Sequence, residues 1–128
     1  MTASDVSART DCLFCRIVAG ELPSDLVADA GRTVAFRDVS PQAPTHVLVV
    51  PREHHADAAA LHAADPELMA ELIAAGVRIA EQEGVADTGY RLLLNTGAHA
   101  GQTVFHVHLH VLGGEPLGAL AGGGLAPG

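Results

Sequence analysis

Three histidines stand at alternate positions near the end of the chain, within TVFHVHLHVLGG, residues 103–114. Side chains of a β-strand alternate between its two faces, so a strand here would present His106, His108 and His110 together on one face. A neutral imidazole has an available lone pair near pH 7 and can attack phosphorus, while neighbouring imidazoles donate to the phosphoryl oxygens. The spacing therefore indicates nucleophilic chemistry at a phosphate.

Two other interpretations of the three histidines remain open. Alternating histidines also present nitrogens to zinc, as in a metal-dependent hydrolase, although such a site usually needs a carboxylate nearby. No acidic residue lies between Asp87 and Glu115, which weakens this interpretation without excluding it. A solvated sheet face that happens to carry histidines is the third interpretation, and strict alternation of three argues against it.

The segment before the histidines adds hydrogen-bond donors. Gly97 and Gly101 make a flexible connector whose backbone amides can point at a phosphate, and Gln102 follows directly. The Thr103 hydroxyl and the Asn95 amide are further donors close by in the sequence. Together these residues predict an anion-binding loop beside a nucleophile.

The rest of the pattern predicts the elements that position this site. Asp65-Pro66-Glu67 opens a long helix with an apolar stripe at a period near 3.6, and Gly84 ends it. A short helix is predicted at 12–19, and strands at 25–28, 33–38, 46–50, 90–95 and 104–112. The 46–50 run is Val-rich and suits a central strand buried on both faces. The predicted fold is α+β, an antiparallel sheet of about five strands with one long helix packed on it.

Composition limits the classes of partner. The 128 residues are the size of one domain. A net charge of −8, without a single Lys, argues against a protein that neutralises a nucleic-acid backbone. The sequence shows neither a signal peptide nor an apolar run long enough to span a bilayer, so we expect a cytoplasmic protein with no membrane partner.

Longer stretches resemble a known family. GQTVFHVHLHVLGG looks like the signature of the histidine triad (HIT) family and, within it, of the Hint-like branch. FRDVSPQAPTHVLVVPREH, residues 36–54, is similar to the nucleotide-pocket segment of that branch, and YRLLLNTG to its preceding strand. The resemblance covers roughly residues 12–114, which we take as a HIT domain between a flexible leader, 1–11, and a Gly/Ala/Pro-rich tail, 115–128, expected to be mobile.

The resemblance implies an activity and a set of residues. Members bind purine nucleoside monophosphates and cleave a bond at the α-phosphate through a covalent nucleotidyl-histidine, without a catalytic metal. It implies that His108 is the nucleophile, that His110 contacts the phosphate and that His46 is the remaining histidine of the site. It further implies that Thr103 bonds the leaving group or phosphate and that Asp38 accepts the ribose hydroxyls. The remaining residues expected to line the nucleotide pocket are Asn95, Gly101 and Gln102.

The CLFC element, residues 12–15, has several interpretations. Two buried thiols on an amphipathic turn, or a redox pair, would each explain it, and one CxxC alone is a weak signal. Bacterial-type members of the family pair such a motif with two histidines to hold a structural zinc. The matching residues here are Cys12, Cys15, His54 and His106, with His55 as a substitute for His54.

The resemblance also implies an assembly and leaves one function open. We expect a homodimer resting on the long helix and the Tyr90–Asn95 strand. Hint-like proteins often end in an aromatic-containing tail, whereas this chain has no Trp, which leaves the choice of leaving group open. The alternative to a nucleotidyl hydrolase or transferase is a zinc-containing nucleotide-binding regulatory module whose catalysis is incidental.

Overall fold

A computed structural model describes residues 11–120 of the chain. Its helices are α1 (Leu13–Val18), α2 (Ala58–Ala64) and α3 (Pro66–Gln82). Its strands are β1 (Leu26–Ala30), β2 (Thr33–Arg37), β3 (Thr45–Pro51), β4 (Tyr90–Leu94) and β5 (Leu109–Gly113). No helix of the described part is long and apolar enough to cross a membrane.

The strands form one antiparallel sheet in the order β1-β2-β3-β5-β4. The predicted α+β class, with five strands and one long helix, is confirmed. All seven residues of β3 are buried, because β3 has a strand on either side and packed groups on both faces. Strand β4 forms one edge of the sheet, and each of its five residues is half-buried.

The two faces of the sheet carry different groups. Val47 and Val49 of β3 join the larger apolar core together with Leu109 and Val111 of β5. Helix α3 packs on this face through its buried stripe of Leu68, Leu72, Ala75, Gly76, Ile79 and Ala80. The opposite face carries a smaller cluster of Cys12, Phe14, Cys15, Val34, Phe36, Leu48 and Val50. Helix α1 covers that second face.

Helix α3 begins and ends as the sequence predicts. The Asp65 carboxylate accepts the backbone N–H of Leu68 at 3.1 Å, and Pro66 occupies the first helical position. Gly84 follows the helix with φ +76°. Gly76 lets the helix approach the sheet, because a Cβ at this position would stand 2.7 Å from Leu109 Cδ2.

The strand predicted at 104–112 is wrong in its limits, because β5 begins only at Leu109. Of the three alternating histidines, only His110 lies within the strand. The segment before it leaves the sheet: the backbone N–H of Val107 donates to the carbonyl of His55 at 2.7 Å instead of to β3. The alternation of faces nevertheless persists, since Val107 joins the larger core while His106 and His108 face the other way.

Other limits also differ from the predictions. Helix α2, which Asp57 caps through a 2.9 Å bond to the N–H of Ala60, was not predicted. The remaining predicted limits differ by a few residues at the ends of elements, as is usual. Residues 1–10 and 121–128 lie outside the described part of the chain, so the mobility predicted there stays a prediction.

Candidate functional site

The face of the sheet opposite α3 holds a cavity of about 800 Å³, called the main cavity below. Leu48, Thr103, Val104 and His108 are among the residues that line it. The remaining lining residues come from α1, from the turn before β1 and from the end of β2: Leu13, Phe14, Ile17, Leu22, Pro23, Ser24, Asp25, Phe36, Arg37, Asp38, Val39, Ser40 and Pro41. Most of this surface is apolar, and His108 is the one histidine among the described residues that line it.

His108 is held in one tautomer by its neighbour in the sequence. Its Nδ1 lies 2.8 Å from the carbonyl oxygen of His106. A carbonyl oxygen can only accept, so Nδ1 carries the proton and donates. In the neutral ring the lone pair is then on Nε2, which makes this nitrogen the available nucleophile.

A second chain of bonds fixes the tautomers of His46 and His110. The backbone N–H of Gln42 donates to His46 Nδ1 at 3.0 Å, so the proton of a neutral His46 is on Nε2. His46 Nε2 donates in turn to His110 Nδ1 at 2.9 Å. The proton of a neutral His110 is therefore on Nε2, and this buried atom has no partner among the described residues. This series of hydrogen bonds ends in the His110 Nε2–H, which can donate to a further acceptor. The centroid of the His110 ring lies 5.2 Å from that of the His108 ring.

Burial keeps these rings neutral. Burial, reinforced by the neighbouring His108 and His46, lowers the pKa of His110 to about 3. Burial also lowers the pKa of His46, against the opposing pull of the Asp38 carboxylate. The hydrogen bond from His46 Nε2 to His110 Nδ1 requires a neutral His110, because a His110 ring protonated at both nitrogens could not accept it.

Only some of the other residues predicted to bind the nucleotide line the main cavity. Asp38 lines the main cavity, where one carboxylate oxygen accepts the N–H of Ser40 at 2.8 Å and the other lies 3.5 Å from His46 Nε2. Thr103 is exposed and lines the cavity. Asn95 and Gly101 are half-buried and do not line it.

Gln102 is buried and supports the loop from within. Its side-chain oxygen accepts the N–H of Gly97 at 2.9 Å, and its side-chain nitrogen donates to the carbonyls of Ala56 and Val104 at 2.8 and 3.1 Å. All of these bonds join the Gln102 side chain to backbone groups, and Gln102 does not line the main cavity. Among the described residues, no backbone N–H of 103–106 donates to a backbone carbonyl.

Cys12, Cys15, His54 and His106 form a second site, called the thiol–imidazole group below. Their four ligand atoms lie within 4.8 Å of one another. Cys12 Sγ and Cys15 Sγ lie 3.3 and 3.4 Å from His106 Nδ1, and Cys15 Sγ lies 3.3 Å from His54 Nδ1. Tetrahedral zinc with Zn–S near 2.3 Å and Zn–N near 2.0 Å separates sulfur from nitrogen by about 3.5 Å. The donor set and its spacing therefore suit a metal ion.

His106 is oriented toward the two sulfurs by its other nitrogen. His106 Nε2 donates to the carbonyl oxygen of Pro51 at 2.8 Å, which leaves the lone pair of Nδ1 facing the thiols. Burial lowers the pKa of His106 to about 4, so the ring is neutral and can act as a ligand. His55, which follows His54 in the sequence and is its expected substitute, bonds Glu53 at 3.1 Å and is not part of the group.

The three alternating histidines therefore do not form a single binding site. His106 faces the thiols, His110 pairs with His46, and His108 lies between them. Asp38, His46 and His110 also bring ligand atoms within 4.8 Å of one another. However, the 2.9 Å separation of the two imidazole nitrogens is that of a hydrogen bond, and two nitrogens on a tetrahedral ion would stand about 3.4 Å apart.

Phe14 connects the two sites, although no motif in the sequence predicts a role for it. Its ring packs edge-on against His106 and His108, with centroid distances of 6.1 and 5.1 Å, and against Phe36 at 5.3 Å. It belongs to α1 between the two cysteines. The apolar residue within CLFC was a local signal of a buried position, but its partners lie far away in the sequence.

Known proteins match this chain along most of its length. Residues 19–117 match the model of the HIT domain family. The chain is 44% identical over 110 residues to the purine nucleoside phosphoramidase of Escherichia coli, an alignment that covers 86% of this chain and 92% of that protein. Among solved structures, a HIT family hydrolase from Legionella pneumophila is 42% identical with a TM-score of 0.81, covering 84% of this chain and 96% of that one. A histidine triad protein from Clostridium difficile is 37% identical with the same TM-score of 0.81, covering 85% and 95%.

We predict that acid destabilises the fold through His110. Unfolded His110 takes up a proton near its ordinary pKa of 6.5, whereas the folded residue stays neutral down to a pKa of about 3. Protonation therefore favours the unfolded state, and the contribution of His110 to stability is complete above pH 6.5 and lost as pH falls below it. The free energy of unfolding of the wild type, measured in urea, should fall by up to about 1.4 kcal/mol for each pH unit of acidification because of this group.

The test of this prediction is how steeply the free energy of unfolding changes with pH, and not its absolute value. His110→Asn should show a shallower decrease than the wild type between pH 6.5 and 4.5. The matched control is His62→Asn, at an exposed position of α2. Equal slopes for the wild type and His110→Asn would contradict the assignment of a neutral buried ring.

Proposed function

This chain belongs to the HIT domain family, and on that premise we propose that it hydrolyses purine nucleoside phosphoramidates through a covalent nucleotidyl-histidine on His108. The observation that carries the proposal is the 2.8 Å bond from His108 Nδ1 to the carbonyl of His106. It leaves the lone pair of the imidazole on Nε2, in a residue that lines the main cavity. Binding alone would not require an oriented nucleophile.

The reaction proceeds in two displacements at the α-phosphate. In the first, His108 Nε2 forms a bond to phosphorus, the bond from phosphorus to the amine nitrogen breaks, and the amine leaves with a proton taken from solvent. In the second, water attacks phosphorus, the P–Nε2 bond breaks and a proton returns to solvent, which releases the nucleoside monophosphate and the free histidine. Covalent catalysis divides one difficult step into two easier ones.

His110 stabilises the phosphoryl group during both displacements. Its buried Nε2–H has no partner among the described residues, so it can donate to a phosphoryl oxygen without breaking another bond. His46 fixes that proton on Nε2 by donating to Nδ1 at 2.9 Å. The donor is preorganised, because the tautomer is set by the backbone N–H of Gln42 at the far end of the chain of bonds.

The other members of the site bind the nucleotide. The Thr103 hydroxyl bonds the leaving nitrogen or the phosphate, and Asp38 offers carboxylate oxygens to the ribose hydroxyls. Gln102 acts through the backbone of 97–104 rather than by contact with the nucleotide. Phe14, Phe36 and Leu48 give the apolar surface on which a purine ring can pack. The E. coli relative is named for purine nucleosides, which supports this class of base.

We also propose that the thiol–imidazole group holds a structural zinc. Two thiolates and two imidazoles make a closed tetrahedral set with no open position for a substrate. The metal would tie α1 to the segments that carry His54 and His106. This arrangement supports a stabilising role, with no metal needed in either displacement.

A homodimer in the cytoplasm is the remaining part of the proposal. The backbone edge of β4 and the adjoining surface of α3 can pair with a second copy about a twofold axis. Arg91 of β4 has a buried Nη1 without a partner among the described residues, and a partner chain would supply an acceptor. Cys12 and Cys15 are not joined by a disulfide, which suits a reducing compartment.

We predict that a single-turnover reaction with adenosine 5′-phosphoramidate produces a protein heavier by one adenylyl group, seen by rapid mixing and intact mass measurement. His108→Ala should give no adduct and lose about a thousandfold or more in turnover, because it removes the attacking nitrogen. The matched control is His62→Ala, at an exposed position, which should react like the wild type. An adduct that persists in His108→Ala would contradict the assignment of the nucleophile.

Repeating that reaction with a chelator distinguishes the alternatives. Turnover that survives removal of metal supports the histidine nucleophile, whereas loss of turnover without loss of folding supports a metal-dependent hydrolase. AMP binding with neither adduct nor turnover would support the regulatory nucleotide-binding module instead.

We predict one zinc per chain in protein purified without added metal, measured by elemental analysis. Cys15→Ser should lose most of the metal and lower the thermal midpoint, since it removes one of the four ligands. The matched control is Ser24→Cys, which adds a thiol outside the group. A wild-type content well below one zinc per chain would contradict the zinc proposal.

Light scattering at micromolar concentration should give a mass of about twice the 13.1 kDa chain. Arg91→Glu should move the mass toward that of one chain, because it places an acidic group at the proposed interface. Arg16→Glu, an exposed substitution on α1, is the charge-matched control. A monomer mass for the wild type would contradict the dimer.

A further inference from the structure

The thiol–imidazole group holds two reduced cysteines close enough to join. Cys12 and Cys15 carry no disulfide, and their Sγ atoms lie within 4.8 Å of each other. The backbone N–H of Arg16 donates to the carbonyl of Cys12 at 3.1 Å, so both cysteines lie on one closed turn. A disulfide requires Cα atoms about 4.4–6.8 Å apart, which residues three apart on such a turn satisfy. The two sulfurs can therefore bond through movement of this turn alone.

A second cavity, of about 360 Å³ and called the side cavity here, reaches one of the two cysteines. Cys12 lines it and Cys15 does not. The other residues that line the side cavity are Asp11, Leu13, His54, Thr103, Val104 and Phe105. Four of the seven lining residues are exposed, so the cavity opens to solvent. Cys12 is therefore the thiol that a small molecule entering from solvent meets first.

The surroundings of Cys12 favour an uncharged oxidant. The Asp11 carboxylate lines the side cavity and no arginine does, so an anionic oxidant would be repelled there. A hydroperoxide is neutral, and the form of cysteine that attacks it is the thiolate. The backbone N–H of Cys15 donates to Cys12 Sγ at 3.3 Å, a contact that a thiolate keeps because its sulfur is the acceptor. These features suit a reaction between Cys12 and a small hydroperoxide.

Two contacts connect the sulfurs with His108. Both sulfurs lie 3.3–3.4 Å from His106 Nδ1, and the carbonyl of His106 accepts from His108 Nδ1 at 2.8 Å. Phe14 stands between the two cysteines in the chain, and its ring packs edge-on against that of His108. A disulfide would bring the sulfurs to about 2.05 Å from each other and change the turn that carries Phe14. A change at the sulfurs therefore reaches His108 through both His106 and Phe14.

We propose that small hydroperoxides oxidise Cys12, that Cys15 then closes a reversible disulfide with it, and that this disulfide changes the orientation of His108. Cys12 Sγ attacks one peroxide oxygen and the O–O bond breaks, which gives a sulfenic acid and an alcohol, or water where the oxidant is hydrogen peroxide. Cys15 Sγ then attacks the Cys12 sulfur, and the S–O bond breaks with release of water. The two thiols give up two electrons and two protons in total, and the peroxide takes up both.

Titration with hydrogen peroxide, followed by intact mass measurement, tests the oxidation site. The wild type should become about 2 Da lighter, the mass of two hydrogens, and dithiothreitol should restore both thiols. Zinc bound to the group should be released at the same time, as measured with a chromophoric chelator, because the disulfide removes two of its proposed ligands. Cys15→Ser should stop at the sulfenic acid, which dimedone traps. Cys12→Ser should react about tenfold more slowly, because Cys15 does not line the side cavity.

The wild type alone also decides which cysteine reacts first. Dimedone present during oxidation should label Cys12 rather than Cys15, as located by fragment masses of the peptide that carries both. Label on Cys15 would overturn the assignment of Cys12. A wild type that keeps both thiols in excess peroxide would overturn the whole proposal.

The ¹H–¹⁵N spectrum of the imidazoles tests the link to His108 without depending on the proposed function. The His108 signal, assigned by its loss in His108→Asn, should shift on oxidation and return with dithiothreitol. The signal of His62, exposed on α2, is the control and should stay in place. An unchanged His108 signal in fully oxidised protein would overturn the link.

Turnover of adenosine 5′-phosphoramidate gives a second readout, which rests on the proposed function. It should fall by about tenfold or more on oxidation, because a displaced nucleophile attacks poorly. Dithiothreitol should restore it. Equal turnover of reduced and oxidised protein would overturn the link to His108, whereas a reduced wild type that does not turn over would refute the proposed function and leave the mass and spectral tests to decide this inference.

Discussion

The hydrogen bond from His108 Nδ1 to the carbonyl oxygen of His106 is the contact on which the rest of the site depends. A carbonyl can only accept, so this single 2.8 Å contact determines which nitrogen of His108 has the lone pair. The carbonyl belongs to a residue whose ring faces the thiols of Cys12 and Cys15. His106 therefore connects His108, the proposed nucleophile, with the thiol–imidazole group: its backbone carbonyl accepts from His108 and its ring faces the thiols.

The sheet makes that arrangement possible by separating two environments. Alternation along β3 sends Val47 and Val49 into the core under α3 and turns His46 and Leu48 to the opposite face. The histidines of the second face are buried without being part of the apolar core. Burial keeps His46 and His110 neutral, and neutral rings can pass a hydrogen bond from one to the next.

The histidines stand out in the sequence, whereas the contacts that orient them do not. Spacing alone indicated that His106, His108 and His110 face away from a core, and their orientation agrees even though β5 begins only at Leu109. Spacing also suggested one row of imidazoles, whereas the rings divide between two groups. The family resemblance implies that Gln102 lines the pocket, whereas in the structure its side-chain amide bonds the backbone at Gly97, Ala56 and Val104. Such partners are distant in sequence and leave no periodic signal.

The sequence by itself determined the fold class, the limits of α3 and the residue types of both sites. The fold class and the limits of α3 follow from local periodicity and from the Asp65 cap, and the residues of both sites follow from the histidine and CLFC motifs together with the resemblance to the HIT family. Only the tertiary structure decided the tautomers of the histidines, the placement of α1 over the second face and the set of residues that line the main cavity. Each of these depends on atoms brought together from segments far apart in the chain, and loop closure and packing, which no local pattern encodes, determine where such atoms meet.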